Sequence, residues 1–221
     1  MKTLVAIPCM DMLHSAFAES LVNVTRSAPP DTSVCFKRSS LIYDSRNLLA
    51  LTAIEHGFDT IMWFDSDMTF KPDTLHCLLA DMNDCGYDLV SGLYVKRTIP
   101  MRPVLWSRIE QPDLSSPNIK KCFDDYLDYP LDTIFPIAGC GFGCVLVKVD
   151  LIKRVWDKYG PAFSPYPWCG EDISFCYRAG RLGAKMVCDS RVKCGHVGNI
   201  EFTEQAYLSQ KNREVETDEI S

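Results

Sequence analysis

The stretch Ile61-Met62-Trp63-Phe64-Asp65-Ser66-Asp67 is an apolar run that leads directly into two carboxylates. The run from Thr60 to Phe64 predicts a buried strand. Residues two apart on a strand point to the same side, so Asp65 and Asp67 are expected to lie together just past its carboxyl end. Open α/β sheets bind their ligands at that edge. The stretch therefore predicts both a central strand and a site beside it.

The two aspartates allow a metal-binding and a purely structural interpretation. Carboxylates ~6 Å apart repel by roughly 3 kcal/mol at an effective dielectric constant of about 20. A divalent cation removes this repulsion and turns the pair into a hard oxygen site. Aspartates also cap the turn between a strand and a helix, as Asp73 is expected to do before the next helix. The pair by itself leaves both interpretations open.

Strand and helix patterns alternate on both sides of this stretch. The predicted strands are residues 3–7, 33–37, 60–64 and 89–95, and the predicted helices are residues 12–27, 45–56 and 72–83, with Pro72 in a first turn. This β-α-β-α-β-α-β order predicts a single α/β domain whose mostly parallel, Rossmann-like central sheet carries helices on both faces.

The second half of the chain is less regular. Residues 97–136 contain six prolines and are predicted to form long loops with one strand near residues 104–106. Strands at 143–149 and 184–188, helices at 150–159 and 171–179, and a loop at 161–168 complete the prediction. Residues 203–221 form a polar C-terminal tail that is expected to fray from residue 214.

Composition excludes several function classes. The 221 residues are 47% apolar and 24% charged, which excludes disordered and fibrous chains. Lysine plus arginine number 23 and aspartate plus glutamate 29, so the net charge is −6. Non-specific binding to nucleic acid is therefore not expected. No apolar run approaches the ~18 residues of a membrane span, although peripheral membrane association stays open.

The cysteines and the N-terminal residues indicate the cellular compartment of the protein. Eleven cysteines without a C-x-x-C pair predict small buried thiols in a reducing compartment, with a disulfide framework as the alternative. The N-terminal apolar run has the outline of a secretory signal, but Pro8, Asp11 and His14 interrupt it. A cytoplasmic α/β domain is expected.

A second group of candidate residues opens a predicted helix. Glu171 and Asp172 follow Trp168-Cys169-Gly170. A carboxylate at a rigid helix start can act as a general base, and Trp168 can stack on a sugar ring. Equally, first-turn carboxylates gain ~0.3–1 kcal/mol from the helix dipole, and half-buried tryptophans are common.

Three further features have two interpretations each. His196, between Gly195 and Gly198, is either a structural histidine or a third metal ligand, which would favour Mn²⁺. The loop 139–143 carries three glycines, and it either lies beside a bulky ligand or forms a tight turn; it does not match a dinucleotide fingerprint. Arg46 either faces a diphosphate or is simply solvated.

Together these residues resemble the GT-A fold glycosyltransferases, most closely compact, family-2-like enzymes of bacterial or viral type. The resemblance covers about residues 3–200. It rests on Ala6-Ile7-Pro8, Asp44-Ser45-Arg46-Asn47, Phe64-Asp65-Ser66-Asp67, Gly141 to Lys148, Gly170-Glu171-Asp172 and Cys194-Gly195-His196. Residues 168–172 are also similar to the W-G-G-E-D segment of inverting galactosyltransferases, with Cys169 in place of one glycine.

The resemblance implies a nucleoside-diphosphate sugar as donor, with a UDP-sugar favoured, and Mn²⁺ or Mg²⁺ as cofactor. Residues 1–96 would be the nucleotide-sugar-binding half and residues 97–202 the acceptor-binding half. The implied donor and metal residues are Pro8, Asp11, Arg46, Asp65, Ser66, Asp67 and His196. Asp67 and His196 would bind the metal, and Asp65 the metal or the ribose.

On the acceptor side, the resemblance implies that Asp172 deprotonates a carbohydrate or other hydroxyl, which gives inversion. Glu171 would bind acceptor or donor sugar, with Trp168 and Gly170 beside it. An ordinary aspartate pKa of ~3.9 would keep Asp172 ionised at pH 7.

Three other functions compete with sugar transfer. Asp65-Ser66-Asp67-Met68-Thr69 fits the motif of haloacid-dehalogenase-type phosphatases, in which the first aspartate is the nucleophile, but that motif normally lies on the first strand. A nucleotidyltransferase usually has a glycine-rich basic loop after strand one, whereas residues 9–16 contain no glycine, lysine or arginine. A non-catalytic carbohydrate-binding module would need neither the aspartate pair nor Asp172.

Overall fold

A computed structural model of the chain describes residues 1–112, 122–198, 201–209 and 211, and for residues 201 and 202 the backbone alone. The helices are α1 (Ser15–Ser27), α2 (Ile42–Glu55), α3 (Thr74–Cys85), α4 (Val149–Tyr159) and α5 (Glu171–Arg181). The strands are β1 (Thr3–Cys9), β2 (Thr32–Arg38), β3 (Thr60–Phe64), β4 (Met68–Thr69), β5 (Leu89–Leu93), β6 (Leu105–Ile109), β7 (Phe123–Asp125), β8 (Ile134–Pro136), β9 (Gly139–Cys140), β10 (Cys144–Lys148), β11 (Met186–Lys193), β12 (Gly195–Val197) and β13 (Glu201–Phe202).

A seven-stranded sheet in the order β2-β1-β3-β10-β5-β11-β8 forms the centre of the molecule. Strands β1, β2, β3, β5 and β11 run in one direction, and β8 and β10 run in the other. The predicted mostly parallel sheet is confirmed. Two three-stranded sheets, β13-β12-β4 and β7-β6-β9, accompany it.

Helices cover both faces of the sheet, as predicted. Leu4 and Ala6 of β1 pack in a core with α2, α4 and α5, whereas Val5 and Ile7 pack in a second core with α1 and α3. Alternate residues of one strand thus enter different cores, which is why the central strands consist mainly of apolar residues instead of alternating with polar ones. The chain is a single α/β domain.

Strand β10 runs against its neighbours β3 and β5, a direction that the sequence did not predict. The chain reaches this strand from the carboxyl edge of the sheet, where the Asp65 amide donates to the Gly143 carbonyl at 3.2 Å. It therefore has to run back across the sheet. Its first four residues, Cys144 to Val147, are all apolar and buried, so they carry no alternation from which a direction could be predicted.

The region predicted as long loops contains more structure than expected. Besides β6, which lies near the predicted strand at residues 104–106, it holds β7 and β8. Both have three residues, too few for a periodic pattern, and β8 pairs with the distant β11. Part of the region, residues 113–121, lies outside the described residues.

Some observed helix and strand boundaries differ from the predicted ones by a few residues. Helix α3 begins at Thr74, so Pro72 precedes the helix instead of lying in its first turn. Strand β11 extends past Cys188 to Lys193, with an irregularity in its pairing. Residues 204–209 are helical and Tyr207 is buried against Tyr129, while residues 210 and 212–221 of the predicted tail lie outside the described part.

All eleven cysteines lie within the described residues and are free thiols, seven of them buried. The prediction that they behave as small apolar side chains holds for most of them, although Cys35 is only half-buried. No helix among the described residues combines the length and apolarity needed to cross a bilayer.

Candidate active site

Asp65, Arg46 and Glu171 form a chain of ion pairs at the carboxyl edge of β3. Arg46 Nη2 donates to Asp65 Oδ1 at 2.8 Å, and Arg46 Nε donates to Glu171 Oε1 at 3.2 Å. The arginine side chain is only 3% exposed, against 30% for Asp65 and 15% for Glu171. One buried cation therefore joins the aspartate pair to the start of α5, 125 residues further along the chain.

Aromatic rings and the two carboxylates make the burial of Arg46 possible. Its guanidinium lies 5.6 Å from the Trp63 ring centroid and 5.4 Å from that of Phe142. Burial acts to lower the arginine pKa, but the charges of Asp65 and Glu171 outweigh it and raise the pKa. Both ion-pair partners are carboxylates, so nucleotide binding by Arg46 stays a prediction.

Asp65 carries a raised pKa because burial, opposed by Arg46 and assisted by the charge of Asp67, disfavours its ionised form. Asp67 differs: burial acts to raise its pKa, but His196 and Arg97 outweigh burial and lower it. The two carboxylates of the motif are thus held in different electrostatic environments. Asp65 belongs to the ion-pair chain, and Asp67 belongs to a second cluster.

That second cluster brings Asp67 and His196 together. Asp67 Oδ2 lies 3.5 Å from His196 Nε2 and 2.9 Å from Arg97 Nη1. Strand β12 pairs with β4, and the Val197 amide donates to the Asp67 carbonyl at 2.7 Å, which fixes this proximity across 129 residues. Among the predicted metal residues, the structure brings these two into one group.

The tautomer of His196 follows from its other ring nitrogen. Nδ1 lies 2.9 Å from the Val95 carbonyl, which can only accept, so Nδ1 carries a proton. In the neutral ring, Nε2 then presents a lone pair towards the Asp67 carboxylate. The cation beside these two acceptors in the structure is the Arg97 guanidinium, which contacts the same Asp67 oxygen.

The fit of a metal ion to these residues is partial. A carboxylate and an imidazole are ligands that Mn²⁺ accepts, and an ion with bonds of roughly 2.1 Å can contact both of two atoms 3.5 Å apart. Substrate phosphate and water commonly supply the other ligands of such an ion. However, Asp65 is engaged by Arg46, and the described residues contain no group of three or more ligating side chains.

Asp172 lies in the first turn of α5, next to Glu171. Its Oδ1 accepts from the Ile173 amide at 2.7 Å. Burial and the charge of Glu171 raise its pKa to about 6. The expectation of an ordinary aspartate pKa was therefore wrong, because the carboxyl is held away from water beside a like charge. A group with this pKa is still mostly ionised at pH 7 and is a stronger base than an ordinary aspartate.

Trp168 belongs to a cluster of aromatic rings before α5. Its ring stacks on Tyr166 at 5.3 Å and meets Tyr177 edge-on at 5.7 Å. Tyr166 thus covers one face of the indole. Gly170, the residue before α5, is exposed. Sugar or acceptor binding by these two residues stays a prediction.

The glycines of the loop 139–143 make room for protein side chains. A Cβ at Gly141 would overlap the Tyr94 hydroxyl and Val104, and one at Gly143 would lie 2.9 Å from Tyr94. The Gly143 amide donates to the Tyr94 hydroxyl at 3.0 Å. The structural interpretation holds for this loop, because a buried tyrosine fills the space assigned to a bulky ligand.

A cleft of about 350 Å³ opens over the aspartate pair. It is lined by Pro8, Cys9, Met10, Ser39, Ser40, Ile42, Asp65, Ser66, Asp67, Arg97 and His196. Asp11 follows Met10 in the chain and is exposed, but it does not line the cleft. Cavities of about 540 and 510 Å³ lie elsewhere and contain none of the predicted site residues.

Sequence reasoning missed Arg97 and Tyr94. Arg97 belongs to a Lys-Arg pair soon after β5, a parallel strand whose carboxyl end shares an edge with β3. This position could have identified Arg97 from the sequence, because polar residues that follow parallel strands lie at the same edge of the sheet as the aspartate pair. Tyr94 had none, since a tyrosine after an apolar run is ordinary.

Comparison with known proteins shows the fold. No family model and no curated protein sequence matches the chain. Among solved structures, A197 from STIV matches with 20% identity and a TM-score of 0.62, over 90% of this chain and 86% of that one. GalNAc-T7, crystallised with UDP, GalNAc and Mn²⁺, matches with 11% identity and a TM-score of 0.60, over 95% of this chain and 47% of that one. The chain has a GT-A-like α/β fold.

Proposed function

We propose that the chain is a metal-dependent glycosyltransferase that moves a sugar from a nucleoside-diphosphate sugar to an acceptor hydroxyl, with inversion. A UDP-sugar is the favoured donor, and family-2-like enzymes are the favoured relatives. The observation that carries the proposal is the Arg46 bridge between Asp65 and Glu171. It holds the aspartate pair and the helix with Asp172 at one edge of the sheet.

The donor binds in the cleft over the aspartate pair, in this proposal. Pro8 and Ser66 line that cleft with Asp67 and His196, and Asp11 lies beside it. Asp67 and His196 would hold Mn²⁺ or Mg²⁺, and such an ion would supply Lewis-acid neutralisation of a diphosphate leaving group. The likeness to GalNAc-T7, crystallised with UDP and Mn²⁺, supports this choice of ligands.

Asp172 is the proposed base. It takes the proton of the acceptor hydroxyl as the acceptor oxygen bonds to the anomeric carbon and the bond to the diphosphate breaks. Because this is one displacement from the opposite face, the configuration inverts. Glu171, held by Arg46, would bind acceptor or donor sugar, with Trp168 and Gly170 beside it. The pKa of about 6 keeps Asp172 ready to accept a proton at pH 7.

The phosphatase alternative is less well supported. Its nucleophile would be Asp65, yet Oδ1 of that residue accepts a hydrogen bond from the buried Arg46 guanidinium at 2.8 Å. A nucleophilic carboxylate has to be ionised and free to approach phosphorus. The motif also follows the third strand of the chain and not the first.

The setting of the reaction is part of the proposal. We place it in the cytoplasm, where eleven free thiols stay reduced. The acceptor is a carbohydrate or another hydroxyl compound, which a membrane surface can present to a peripherally bound enzyme. No role in non-specific nucleic-acid binding is proposed for a chain of net charge −6.

A donor panel tests the function. Nucleoside-diphosphate release from a set of nucleotide sugars is measured with Mn²⁺, with and without acceptors, for wild type, Asp67→Asn and Asp172→Asn, and hydrolysis of a small phosphomonoester is measured for wild type and Asp65→Asn. Asp73→Asn, an exposed aspartate before α3, is the control. Release should require Mn²⁺ and both site aspartates, and survive in the control. Hydrolysis of a phosphomonoester that requires Asp65, without any donor turnover, would establish the phosphatase instead.

A further inference from the structure

Arg97 places a positive charge inside the proposed donor cleft. Its Nη1 donates to Asp67 Oδ2 at 2.9 Å and to the Val197 carbonyl at 3.0 Å. The side chain is 44% exposed, in contrast to the buried Arg46. Arg97 is therefore an accessible cation on the carboxylate that the proposed function assigns to the metal.

Arg97 and a metal ion compete for the same oxygen. Asp67 Oδ2 is the atom that faces both Arg97 and His196, so an ion between the carboxylate and the imidazole would meet the guanidinium. Both contacts of Arg97 in the described structure use Nη1. They leave Nε and Nη2, which form a planar fork suited to phosphate oxygens.

The position of Arg97 in the chain allows it to change partner. It begins a short loop whose base is closed by the Lys96 amide, which donates to the Arg102 carbonyl at 2.8 Å, and by a bridge between Val95 and Pro103. The Arg97 side chain lines the cleft and is partly exposed to solvent. A new contact therefore needs rotation of the Arg97 side chain and no rearrangement of the loop base.

We propose that Arg97 is an exchangeable cation of the donor site. It neutralises Asp67 in the free protein, and it moves to the donor diphosphate when a divalent cation binds Asp67 and His196. This inference rests on the proposed function and deepens it. Since the arginine opposes the metal but assists the nucleotide, metal and nucleoside diphosphate bind cooperatively, and each raises the affinity for the other by the same factor.

Two binding measurements on Arg97→Gln test the exchange. Mn²⁺ binding to the nucleotide-free protein is followed by electron paramagnetic resonance, and UDP binding is followed by calorimetry with and without Mn²⁺. Arg102→Gln is the matched control, since Arg102 lies at the other end of the loop, is 46% exposed and pairs with Asp125. Neither readout depends on turnover.

The expected changes have opposite signs. Without nucleotide, Arg97→Gln should bind Mn²⁺ roughly 3- to 5-fold more tightly, because an exposed ion pair no longer competes. With Mn²⁺ present, it should bind UDP roughly 10- to 100-fold more weakly, because a charged hydrogen-bond donor is missing. Arg102→Gln should match wild type in both measurements.

The contrary results separate this inference from the function. If wild type binds UDP with Mn²⁺ and Arg97→Gln binds both equally well, the exchange is wrong and the function stands. Weaker Mn²⁺ binding by Arg97→Gln would make the arginine a support of the metal site and would also overturn the exchange. If wild type binds neither Mn²⁺ nor UDP, both proposals fall.

Discussion

Replacement of Arg46 by glutamine should destabilise the protein more than any exposed arginine substitution. The change removes the only observed cation between Asp65 and Glu171 in the described structure and leaves two carboxylates close to each other. Removal of one partner from a buried ion pair costs about 3–5 kcal/mol. Asp65 is 30% exposed, so screening by water reduces the expected loss to about 2–4 kcal/mol.

Thermal and urea unfolding at pH 8 measure this loss. For a chain of 221 residues, each kcal/mol corresponds to a shift of about 2–4 °C, so Tm should fall by about 5–15 °C. The loss should shrink towards pH 4. Burial raises the Asp65 pKa, and a protonated Asp65 needs no cation beside it.

Arg154→Gln is the control for this prediction. Arg154 is 39% exposed and pairs with Asp150 and Asp88 near the protein surface, so its loss should cost less than about 1 kcal/mol. Equal stability of Arg46→Gln and Arg154→Gln at pH 8 would refute the bridge. So would an Arg46→Gln variant with wild-type stability that had lost only nucleotide binding.

Three further substitutions probe other parts of the molecule. Transfer by wild type should decline below about pH 6 as Asp172 becomes protonated, and Asp172→Asn should stop turnover while UDP still binds with Mn²⁺. Gly141→Ala should lower Tm by several degrees, because its Cβ would overlap the buried Tyr94 hydroxyl. In the folded protein, burial and the neighbouring Asp189 raise the pKa of Asp81 to about 6. The free energy of unfolding of wild type should therefore fall as pH rises from about 4 to 6, because the folded state binds a proton that the unfolded state has lost. Urea titrations of Asp81→Asn should show a smaller fall.

Each of these has its own control and contrary result. Full transfer by Asp172→Asn would remove it as the base, with Asp73→Asn as the reference. Gly180→Ala should not destabilise, since the nearest atom to its Cβ is 3.7 Å away, and an equal Tm for the two alanine variants would contradict the packing at Gly141. An unchanged pH dependence in Asp81→Asn, as expected for the exposed Asp84→Asn, would mean that Asp81 is not a source of the fall.

Local sequence patterns predicted the central strands because both faces of those strands are buried. The predicted bounds of β3, Thr60 to Phe64, are the observed ones, since the apolar run after Thr60 ends at the first aspartate. The direction of β10 could not be read in the same way. Residues 144–147 are apolar whichever way the strand runs, and the direction depends on where the chain arrives.

Residue types predicted the members of the candidate site but not how they are grouped. Asp67 and His196 were expected to lie together, with Asp65 on the metal or the ribose; the structure does bring Asp67 to His196, but it adds Arg97 to that group and pairs Asp65 with Arg46. These partners are distant in sequence, and no spacing rule relates them. The raised pKa of Asp172 also depends on tertiary burial, which the helix-start pattern does not contain.

The most direct test of the central claim is a crystal structure of the chain with UDP and Mn²⁺. We expect one ion in contact with Asp67 and His196, and the UDP diphosphate beside it in the cleft that Pro8 and Ser66 line. A structure in which the nucleotide and the ion bind elsewhere, or in which neither binds at saturating concentration, would contradict the assignment of this edge of the sheet as a donor site.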